Sequence, residues 1–381
     1  MLLFTATTFA AASGIHYQTP MLGPMAAEFG ADSLQIGWIP TASFAGFLAG
    51  IVLLVPLGDR MDKRRLILRQ HLAAIVALLA AAAAPNLVVA ALAGFCIGLC
   101  SCYAQVVIPL VAELAPANQR GRAVGTILTA LFLGLLFARI VGGLVAAHLG
   151  WRWMYVIAAA MLIVLTPALL ARLPRTAAKT SLPYPRLIAS IFGLIAAHRE
   201  MRRVAAIQFL LGICYGGFWA TIATMLLQTH GLGPQVAGLI GIPGAAGILV
   251  ARPAGRWLDL YGPGPIVRAG IALILVAYAV FALGVWWAAA LAVGAAILDS
   301  GLRATMVANQ TVITSLAADA RSRSNTVFGL AVWSGNAFGA FIASGALAAS
   351  GWLAVCAISA LAAGIALAVQ LAMTRNSVPG T

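Results

Sequence analysis

The sequence predicts an all-α integral membrane protein with twelve transmembrane helices in two pseudo-symmetric six-helix bundles. Its composition, the length of its apolar runs and the placement of its basic residues support this prediction. Of its 381 residues, 62% are apolar and 8% are charged, whereas Asp, Glu, Lys and Arg make up about a quarter of a soluble domain. So few charges cannot cover a water-facing surface, which excludes a soluble enzyme and a soluble nucleic-acid-binding protein.

The apolar runs have the length that a bilayer requires. A helix needs roughly 20 apolar residues to cross the hydrocarbon core, whereas transmembrane strands give short alternating segments. The runs in this chain are long and continuous. Polar residues separate twelve windows, which we call spans one to twelve: 2–27, 34–57, 66–84, 87–112, 122–147, 151–172, 203–229, 234–256, 265–283, 285–312, 325–349 and 352–373.

The basic residues predict the orientation. If the chain begins in the cytoplasm, nearly all of its 23 Lys and Arg residues fall in cytoplasmic loops or in the tail. Only Arg152 then lies outside, and Arg139 and Arg303 lie within spans. This positive-inside pattern predicts that both termini lie in the cytoplasm. We expect the protein in a bacterial inner membrane. The net charge of +14 is then explained by contact with anionic lipid, and no nucleic acid partner is expected.

The two halves of the sequence are related by a shift of about 200 residues. This relation predicts bundles at 1–173 and 203–381, joined by a cytoplasmic linker at 174–202 whose apolar middle suits a short interfacial helix. Parallel repeats with a substrate site between them are a transporter design. The matching pairs are Arg120-Gly121-Arg122 with Arg321-Ser322-Arg323, Gly134 with Gly335, Gly150-Trp151 with Gly351-Trp352, and Asp59 with Asp259.

Two loops carry a recognisable motif. The sequence reads PLGDRMDKRR at 56–65 and GRWLDLYG at 255–262, and both are versions of Gly-x-x-x-Asp-Arg-x-Gly-Arg-Arg. With these loops the chain resembles the major facilitator superfamily over essentially its whole length. It is most similar to the twelve-helix drug:proton antiporter branch, because of Tyr17-Gln18-Thr19-Pro20-Met21 in span one and Gly150-Trp151-Arg152 at span six. The resemblance implies transport of a small molecule by alternating access.

The motif loops predict a latch that holds the two halves in the outward-open state. An aspartate in such a loop can accept hydrogen bonds from a helix N-terminus, and the basic cluster can pair with Glu113 at the end of span four. The alternative is that these residues are simple turns and lipid-facing anchors. The candidate gating residues are Asp59, Arg60, Arg64, Glu113, Gly255, Asp259 and Gly262.

Three charged residues lie inside predicted spans, where each costs at least about 2.5–3.5 kcal/mol. Arg139 replaces the proline of the antiporter motif in span five, Gly134-x-x-x-Ala138-Arg139-x-x-Gly142-Gly143. Asp299 and Arg303 are four residues apart in span ten and therefore share a helix face. One hypothesis is a self-neutralising buried pair. The other is that Asp299 takes up and releases a proton while Arg303 or Arg139 holds an anionic group.

Other polar and aromatic residues near mid-span are candidates for a substrate site. His16 is a second candidate for proton coupling, because its reference pKa lies near neutrality, and it is also a candidate for substrate binding. An aromatic and amide lining suits an amphipathic organic solute. The further candidates are Tyr17, Gln18, Gln105, Tyr215, Trp219, Trp333 and Asn336.

The sequence therefore predicts a proton-coupled secondary transporter, with efflux implied by the family resemblance. The alternatives are an organic-anion carrier that uses the intramembrane arginines, and a membrane receptor that binds without transport. The chain has no P-loop, His-Glu-x-x-His or Gly-x-Ser-x-Gly motif, so neither an enzyme nor an ATP-driven pump is predicted. We expect a monomer without cofactor or metal, whose partners are a small solute, protons and lipids; the five cysteines lie within spans and imply no disulfide framework.

Overall fold

Helices of membrane-spanning length dominate the computed structural model, which describes residues 1–116, 119–176, 183–316 and 321–374. Within these ranges, ten helical stretches are long and apolar enough to cross a bilayer, and they coincide with spans two to seven and nine to twelve. They are Ser33–Leu53, Lys63–Ala82, Leu87–Leu114, Arg122–His148, Trp151–Arg172, Arg199–His230, Pro263–Val285, Ala288–Ile313, Ser324–Ser350 and Trp352–Ala372.

The chain divides into two units. Unit one consists of Met1–Ile188 and Gly233–Gly238, and unit two is the remainder of the described chain. The helices before the linker are α1 Leu2–Gly14, α2 Leu22–Phe29, α3 Ser33–Ile36, α4 Trp38–Leu53, α5 Leu57–Arg60, α6 Lys63–Ala82, α7 Leu87–Ser101, α8 Tyr103–Leu114, α9 Arg120–His148 and α10 Trp151–Arg172. The helix α11 Tyr184–Ala197 covers the apolar middle of the linker, and unit one ends within it.

The helices after the linker complete the chain. In unit two, Ile191 of α11 is buried in a core cluster with Met201, Val204 and Ile313, so this helix packs its apolar face on the helices that follow. The helices after α11 are α12 Arg199–His230, α13 Pro234–Leu239, α14 Gly241–Gly244, α15 Ala246–Tyr261, α16 Pro263–Ala282, α17 Ala288–Leu316, α18 Arg321–Ser350 and α19 Trp352–Thr374. Except for Leu239, α13 belongs to unit one.

Spans one and eight are interrupted, in contrast to the continuous helices that we predict. In span one, α1 ends at Gly14 and a 3-10 turn over Thr19–Met21 leads into α2. In span eight, the short helices α13 and α14 precede α15. Pro20 and Pro243 lack the N–H that a continuous helix needs, and the glycines around Pro243 weaken helix formation. Backbone of this kind is tolerated at membrane depth where protein buries it.

Glycines set the helix crossings within each unit. A Cβ atom on Gly134 of α9 would lie 2.4 Å from the carbonyl oxygen of Phe9 on α1. A Cβ atom on Gly335 of α18 would lie 2.1 Å from the carbonyl oxygen of Phe209 on α12. Only a residue without a side chain allows such contacts between backbones. These glycines are repeat partners in the sequence, so the two units share this crossing.

The surface carries apolar and aromatic side chains as a bilayer requires. On α6, Leu72, Val76 and Leu79 recur at helical spacing and are 48%, 68% and 44% exposed. Trp286 and Trp287 follow α16 and are about two-thirds exposed, at 65% and 68%. Tryptophans concentrate at the two membrane–water interfaces, where their rings are apolar and their N–H groups meet water. The exposed surface therefore fits lipid tails with an aromatic border.

Candidate functional site

Asp299 and Arg303 form an ion pair on α17. Asp299 is 2% exposed, and its Oδ1 atom lies 3.4 Å from Nη2 of Arg303. Arg303 also points Nη1 towards the Met306 sulfur at 4.0 Å. The four-residue spacing in the sequence thus gives a pair on one helix face. The buried carboxyl group of Asp299 therefore has the guanidinium of Arg303 beside it.

Two glycine contacts hold α17 at the level of this pair. On one side, a Cβ atom on Gly301 would lie 2.5 Å from the carbonyl oxygen of Gly270 on α16. On the other side, a Cβ atom on Gly247 of α15 would lie 2.6 Å from the carbonyl oxygen of Asp299. The backbones of α16 and α15 therefore both contact α17 where it carries Asp299. Close backbone packing of this kind fixes the position of the carboxylate.

An aromatic ring of α12 lies beside the carboxylate. Trp219 is 1% exposed, and its ring edge and Asp299 Oδ2 both lie within about 3.3 Å of the Cβ position of Gly244. Tyr215, one turn earlier on α12, has its ring centroid 6.2 Å from that of Trp219. The structure thus brings Tyr215, Trp219, Asp299 and Arg303 together in unit two.

The exposure of this face of α17 increases along the helix. Asp299 is buried, Arg303 and Met306 are partly exposed and Gln310 is exposed. These residues share one face because they are separated by three or four positions. The polar side chains of this face therefore become more accessible towards the C-terminal end of α17.

The other two candidates of unit two lie on α18. Asn336 is 2% exposed. When its side-chain nitrogen faces the neighbouring carbonyl oxygens, this nitrogen donates to the backbone carbonyl oxygen of Gly212 at 3.1 Å. A Cβ atom on Gly216 would lie 2.1 Å from the Asn336 carbonyl oxygen. Asn336 therefore lies at the crossing of α12 and α18. Trp333, one turn earlier, is partly exposed.

Three candidates of unit one lie at the interruption of span one. His16, Tyr17 and Gln18 are 1%, 1% and 3% exposed. Gln18 accepts a hydrogen bond from the Ser43 hydroxyl at 2.9 Å and donates to the Ile15 carbonyl at 3.2 Å. Its amide therefore satisfies a backbone carbonyl near the interruption. The His16 ring lies 6.3 Å from that of Phe44.

The Tyr17 side chain lines a small cavity inside unit one. Ser101 and Tyr103 line the same cavity, which has room for about one water molecule. The Tyr103 ring packs edge-on against His71, with centroids 6.0 Å apart, and His71 Nε2 lies 2.9 Å from the Leu162 carbonyl oxygen. This buried histidine of span three is not among the candidates predicted from the sequence, although a histidine within an apolar run is a visible signal. Gln105, further along α8, is partly exposed.

Arg139 is buried on α9, with 3% of its surface exposed. The helix around it meets the segment Gly233–Gly238: Cβ atoms on Gly143 and Gly238 would lie 2.4 Å from the carbonyl oxygens of Pro234 and Arg139, respectively. Arg139 thus lies in the packed interior of unit one. Such burial requires compensating interactions for its charge.

The loop after span two is fastened to its neighbours. Lys63, 4% exposed in its side chain, pairs with Glu113 at 2.8 Å. Asp62 caps α6 and accepts from the backbone N–H of Thr176 at 2.9 Å, and Arg64 donates to the Leu170 carbonyl oxygen. Of the other candidates, Arg60 is exposed and Asp59 lies on α5; the side chain of Asp59 is outside the described part of the structure.

The loop after span eight is open. Asp259 is exposed, and the neighbouring Leu260 and Tyr261 are 73% and 65% exposed. No atom lies within 4 Å of a Cβ position on Gly255. Gly262 ends α15 with a φ of +75°, a conformation that favours glycine. Gly262 therefore allows the turn that ends α15.

Metal ligands do not converge in the described ranges. Within them, no group of three or more His, Cys, Asp or Glu residues could hold a metal ion. Cys96 is exposed, whereas Cys100, four residues away, is buried.

Comparison with known proteins agrees with this architecture. The family model of the Major Facilitator Superfamily matches residues 3–317. The chain is 34% identical to the uncharacterized transporter YgaY of Escherichia coli O157:H7, over 90% of this chain and 87% of that protein. It is 32% identical to a probable transporter of Streptomyces coelicolor, over 90% of this chain and 80% of that protein. It is 23% identical to a multidrug resistance protein B homolog of Mycobacterium tuberculosis, over 84% and 70%.

Solved structures share the fold. The nucleoside transporter NupG superposes with a TM-score of 0.77 at 14% identity, covering 99% of both chains. A bacterial homolog of the human lysosomal transporter Spinster, in an inward-facing and occupied conformation, gives 0.75 at 16% identity and covers 98% of this chain and 96% of that chain. The fold class predicted from the sequence is thereby confirmed. The chain belongs to the major facilitator superfamily and is a multi-pass membrane transporter of a small solute rather than an enzyme.

Proposed function

We propose that the protein is a proton-coupled secondary transporter of the bacterial inner membrane that exports a small organic solute. In this proposal Asp299 is the group that takes up and releases the proton. Both termini lie in the cytoplasm, and the protein acts as a monomer. The solute is amphipathic, and Trp219, Tyr215 and Arg303 meet it in unit two.

One observation carries the proton assignment: a buried aspartate is paired with an arginine at 3.4 Å on a helix face that becomes exposed towards its C-terminal end. A carboxylate in the membrane interior is costly, and such residues mark ion pathways and proton relays. Protonation of Asp299 would release Arg303 to hold a solute, and departure of the solute would restore the pair.

Two further observations support export. The positive-inside pattern supports a cytoplasmic position for the C-terminal end of α17, where Gln310 is exposed and cytoplasmic solute would reach the polar face. The relative from Mycobacterium tuberculosis is named as a multidrug resistance protein homolog. On this proposal the transporter loads solute from the cytoplasm and exchanges it for an external proton.

The test uses purified protein in liposomes. A thermal-shift screen of ethidium, uridine and benzoate at two pH values identifies a solute class, because binding to the folded state raises apparent stability. We then expect Asp299→Asn to abolish accumulation driven by a pH gradient while exchange of labelled solute continues. Glu200→Gln, an acid at the exposed end of α12, is the matched control and should transport normally. If Asp299→Asn accumulates solute as the natural protein does, the assignment is wrong.

Arg139 supports an organic-anion carrier as the second candidate. It is a buried cation in unit one, and a guanidinium binds carboxylate and phosphate groups through paired hydrogen bonds. On this alternative Arg139→Gln abolishes benzoate binding and leaves ethidium binding intact. Equal thermal shifts with both solutes in Arg139→Gln and in the natural protein would exclude the anion role.

A further inference from the structure

Gly244, in the interrupted region of span eight, lies directly against the Asp299 carboxylate. A Cβ atom at this position would lie 3.2 Å from Asp299 Oδ2, 3.1 Å from Cζ2 of Trp219 and 3.3 Å from its Cη2. The backbone of α14 therefore covers one carboxylate oxygen, and the indole ring covers the same place from α12.

Gly247, three residues later, contacts the same region in a different way. Its Cβ would lie 2.6 Å and 2.7 Å from the carbonyl oxygen and carbon of Asp299, and 2.9 Å from Cγ of Arg303. Backbone atoms of a packed helix cannot yield at these distances, so Gly247 sets the crossing of α15 and α17. The three atoms nearest to a Cβ position on Gly244 all belong to side chains, so a substitution there acts on the carboxylate and the indole more directly than on the helix crossing.

The described contacts of the carboxylate come from α17 itself, from span eight and from α12. On α17 itself, Arg303 faces Oδ1. The elements packed against Asp299 contribute Gly244 and Gly247 from span eight and Trp219 from α12, with the phenol of Tyr215 beyond the indole. The contacts that the structure describes thus differ between the two carboxylate oxygens: a guanidinium approaches Oδ1, and a glycine backbone and an indole lie near Oδ2.

We propose that Gly244 is a positioning residue for Asp299, which lets the backbone of α14 close over Oδ2 and, with Trp219, separate this oxygen from water. Proton exchange at Asp299 then requires the segment around Gly244 to move away. This inference rests on the proposed role of Asp299 in proton coupling. It adds span eight to that mechanism as the cover of the proton-binding group.

Alanine and serine at position 244 distinguish this role from simple packing. The two side chains are nearly equal in size, so both hold α14 away from the carboxylate to a similar extent. Only the serine hydroxyl can donate a hydrogen bond to Oδ2, which favours the ionised carboxylate. A purely structural role of Gly244 would make the two variants behave alike.

The experiment measures labelling of Asp299 by dicyclohexylcarbodiimide, which reacts with protonated carboxyl groups in apolar surroundings. Mass spectrometry of the peptide that carries Asp299 gives the labelling rate against pH, with Asp299→Asn as the blank. Both Gly244→Ala and Gly244→Ser should label several-fold faster at low pH. The midpoint of Gly244→Ser should lie about one pH unit below that of Gly244→Ala.

Control variants keep the result interpretable. Gly364→Ala, in a helix where no atom lies within 4 Å of the new Cβ, should label as the natural protein does. If the Gly244 variants do not fold, Trp219→Phe opens the cover from the other side and should also accelerate labelling. Equal midpoints for Gly244→Ala and Gly244→Ser, or unchanged rates in Trp219→Phe, would overturn the inference.

Labelling is independent of transport. A normal pH-gradient response in Asp299→Asn would therefore refute the proposed function, whereas the labelling rates would still decide whether Gly244 covers the carboxylate.

Discussion

The two units repeat the same backbone contact but differ in the side chains around it. Gly134 meets Phe9 in unit one, and Gly335 meets Phe209 in unit two, with similar separations from the neighbouring carbonyl oxygen. Gly150 and Gly351 each precede a tryptophan, and both glycines have a positive φ, at +92° and +75°. The repeat therefore preserves two kinds of glycine position. At the helix crossings glycine lets two backbones approach each other, and at the turns it allows a positive φ.

The tryptophans after these glycines show how the side chains differ. In unit one, the Trp151 indole donates to Glu28 at 2.6 Å, and Arg152 pairs with the same carboxylate at 2.6 Å. In unit two, the Trp352 indole donates to the Phe281 carbonyl at 2.7 Å, within a cluster of aromatic rings. One unit joins its helix ends with charges and the other with an apolar cluster, although both use a tryptophan N–H.

The motif loops differ in the same sense. The loop after span two buries Lys63 against Glu113 and fastens Asp62 to Thr176, whereas the loop after span eight exposes Asp259. Conversely, unit two places an acid and a base together on one helix face within a span. A shared fold thus carries ionic contacts in a loop of one unit and inside a span of the other.

The largest effect is expected at the shared crossings. Gly134→Ala and Gly335→Ala each place a methyl group within 2.4 Å of a backbone oxygen. Overpacking costs about 1–3 kcal/mol and more where backbone must move, so we expect strongly reduced yields of folded protein from both variants. Fluorescence-detected size-exclusion chromatography measures this. Gly364→Ala should fold normally, and a normal yield from either crossing variant would show that the repeat contact is not required.

The buried lysine is expected to have the next largest effect. Lys63→Met removes the ammonium group that Glu113 contacts, and removal of one member of a buried pair costs about 3–5 kcal/mol. Because the Glu113 side chain is 35% exposed, we expect roughly 2 kcal/mol. The double variant Lys63→Met/Glu113→Leu should recover much of the melting temperature. Asp259→Asn, in the open loop, should change it little, and equal losses in both loops would remove the contrast.

The tryptophans test whether the two helix-end contacts differ in kind. Trp352→Phe removes the indole hydrogen bond to the buried Phe281 carbonyl, which keeps the backbone N–H of Leu283 as a second donor. We expect a loss of about 1 kcal/mol at any salt concentration. Trp151→Phe removes a hydrogen bond to a partly exposed carboxylate, and its effect should shrink as salt screens the charges. Melting temperatures at low and high salt compare the variants. A salt-dependent loss in Trp352→Phe would contradict the assignment.

The smallest effect concerns the cap of α6. Burial acts to raise the pKa of Asp62, but hydrogen bonds from the backbone N–H groups of Thr176 and Arg64 outweigh it and hold the pKa below its ordinary value. Its stabilising contribution is therefore present above the unfolded-state pKa of about 3.9 and lost as pH falls through the folded-state pKa. The melting temperatures of the natural protein and Asp62→Asn should differ slightly at pH 7 and converge in acid. A constant difference would exclude this cap as the cause.

The sequence by itself determined the membrane class, ten of the twelve helices and the repeat. These follow from the length of apolar runs and from local spacing, because a bilayer admits few ways to satisfy a backbone. The four-residue spacing of Asp299 and Arg303 also predicted a shared face, which the ion pair shows. The sequence also showed that Gly134 and Gly335 occupy equivalent positions in the two halves.

Only the tertiary structure decided what the matched residues contact. It separated Asn336, used at a helix crossing, from Trp219, which lies beside the carboxylate. It revealed His71 beside Tyr103, and it showed that the glycines of span eight lie against Asp299. The reason is physical: a sequence gives the period of a helix but not the rotation of its faces towards neighbours, and contacts between residues far apart in the chain depend on that rotation.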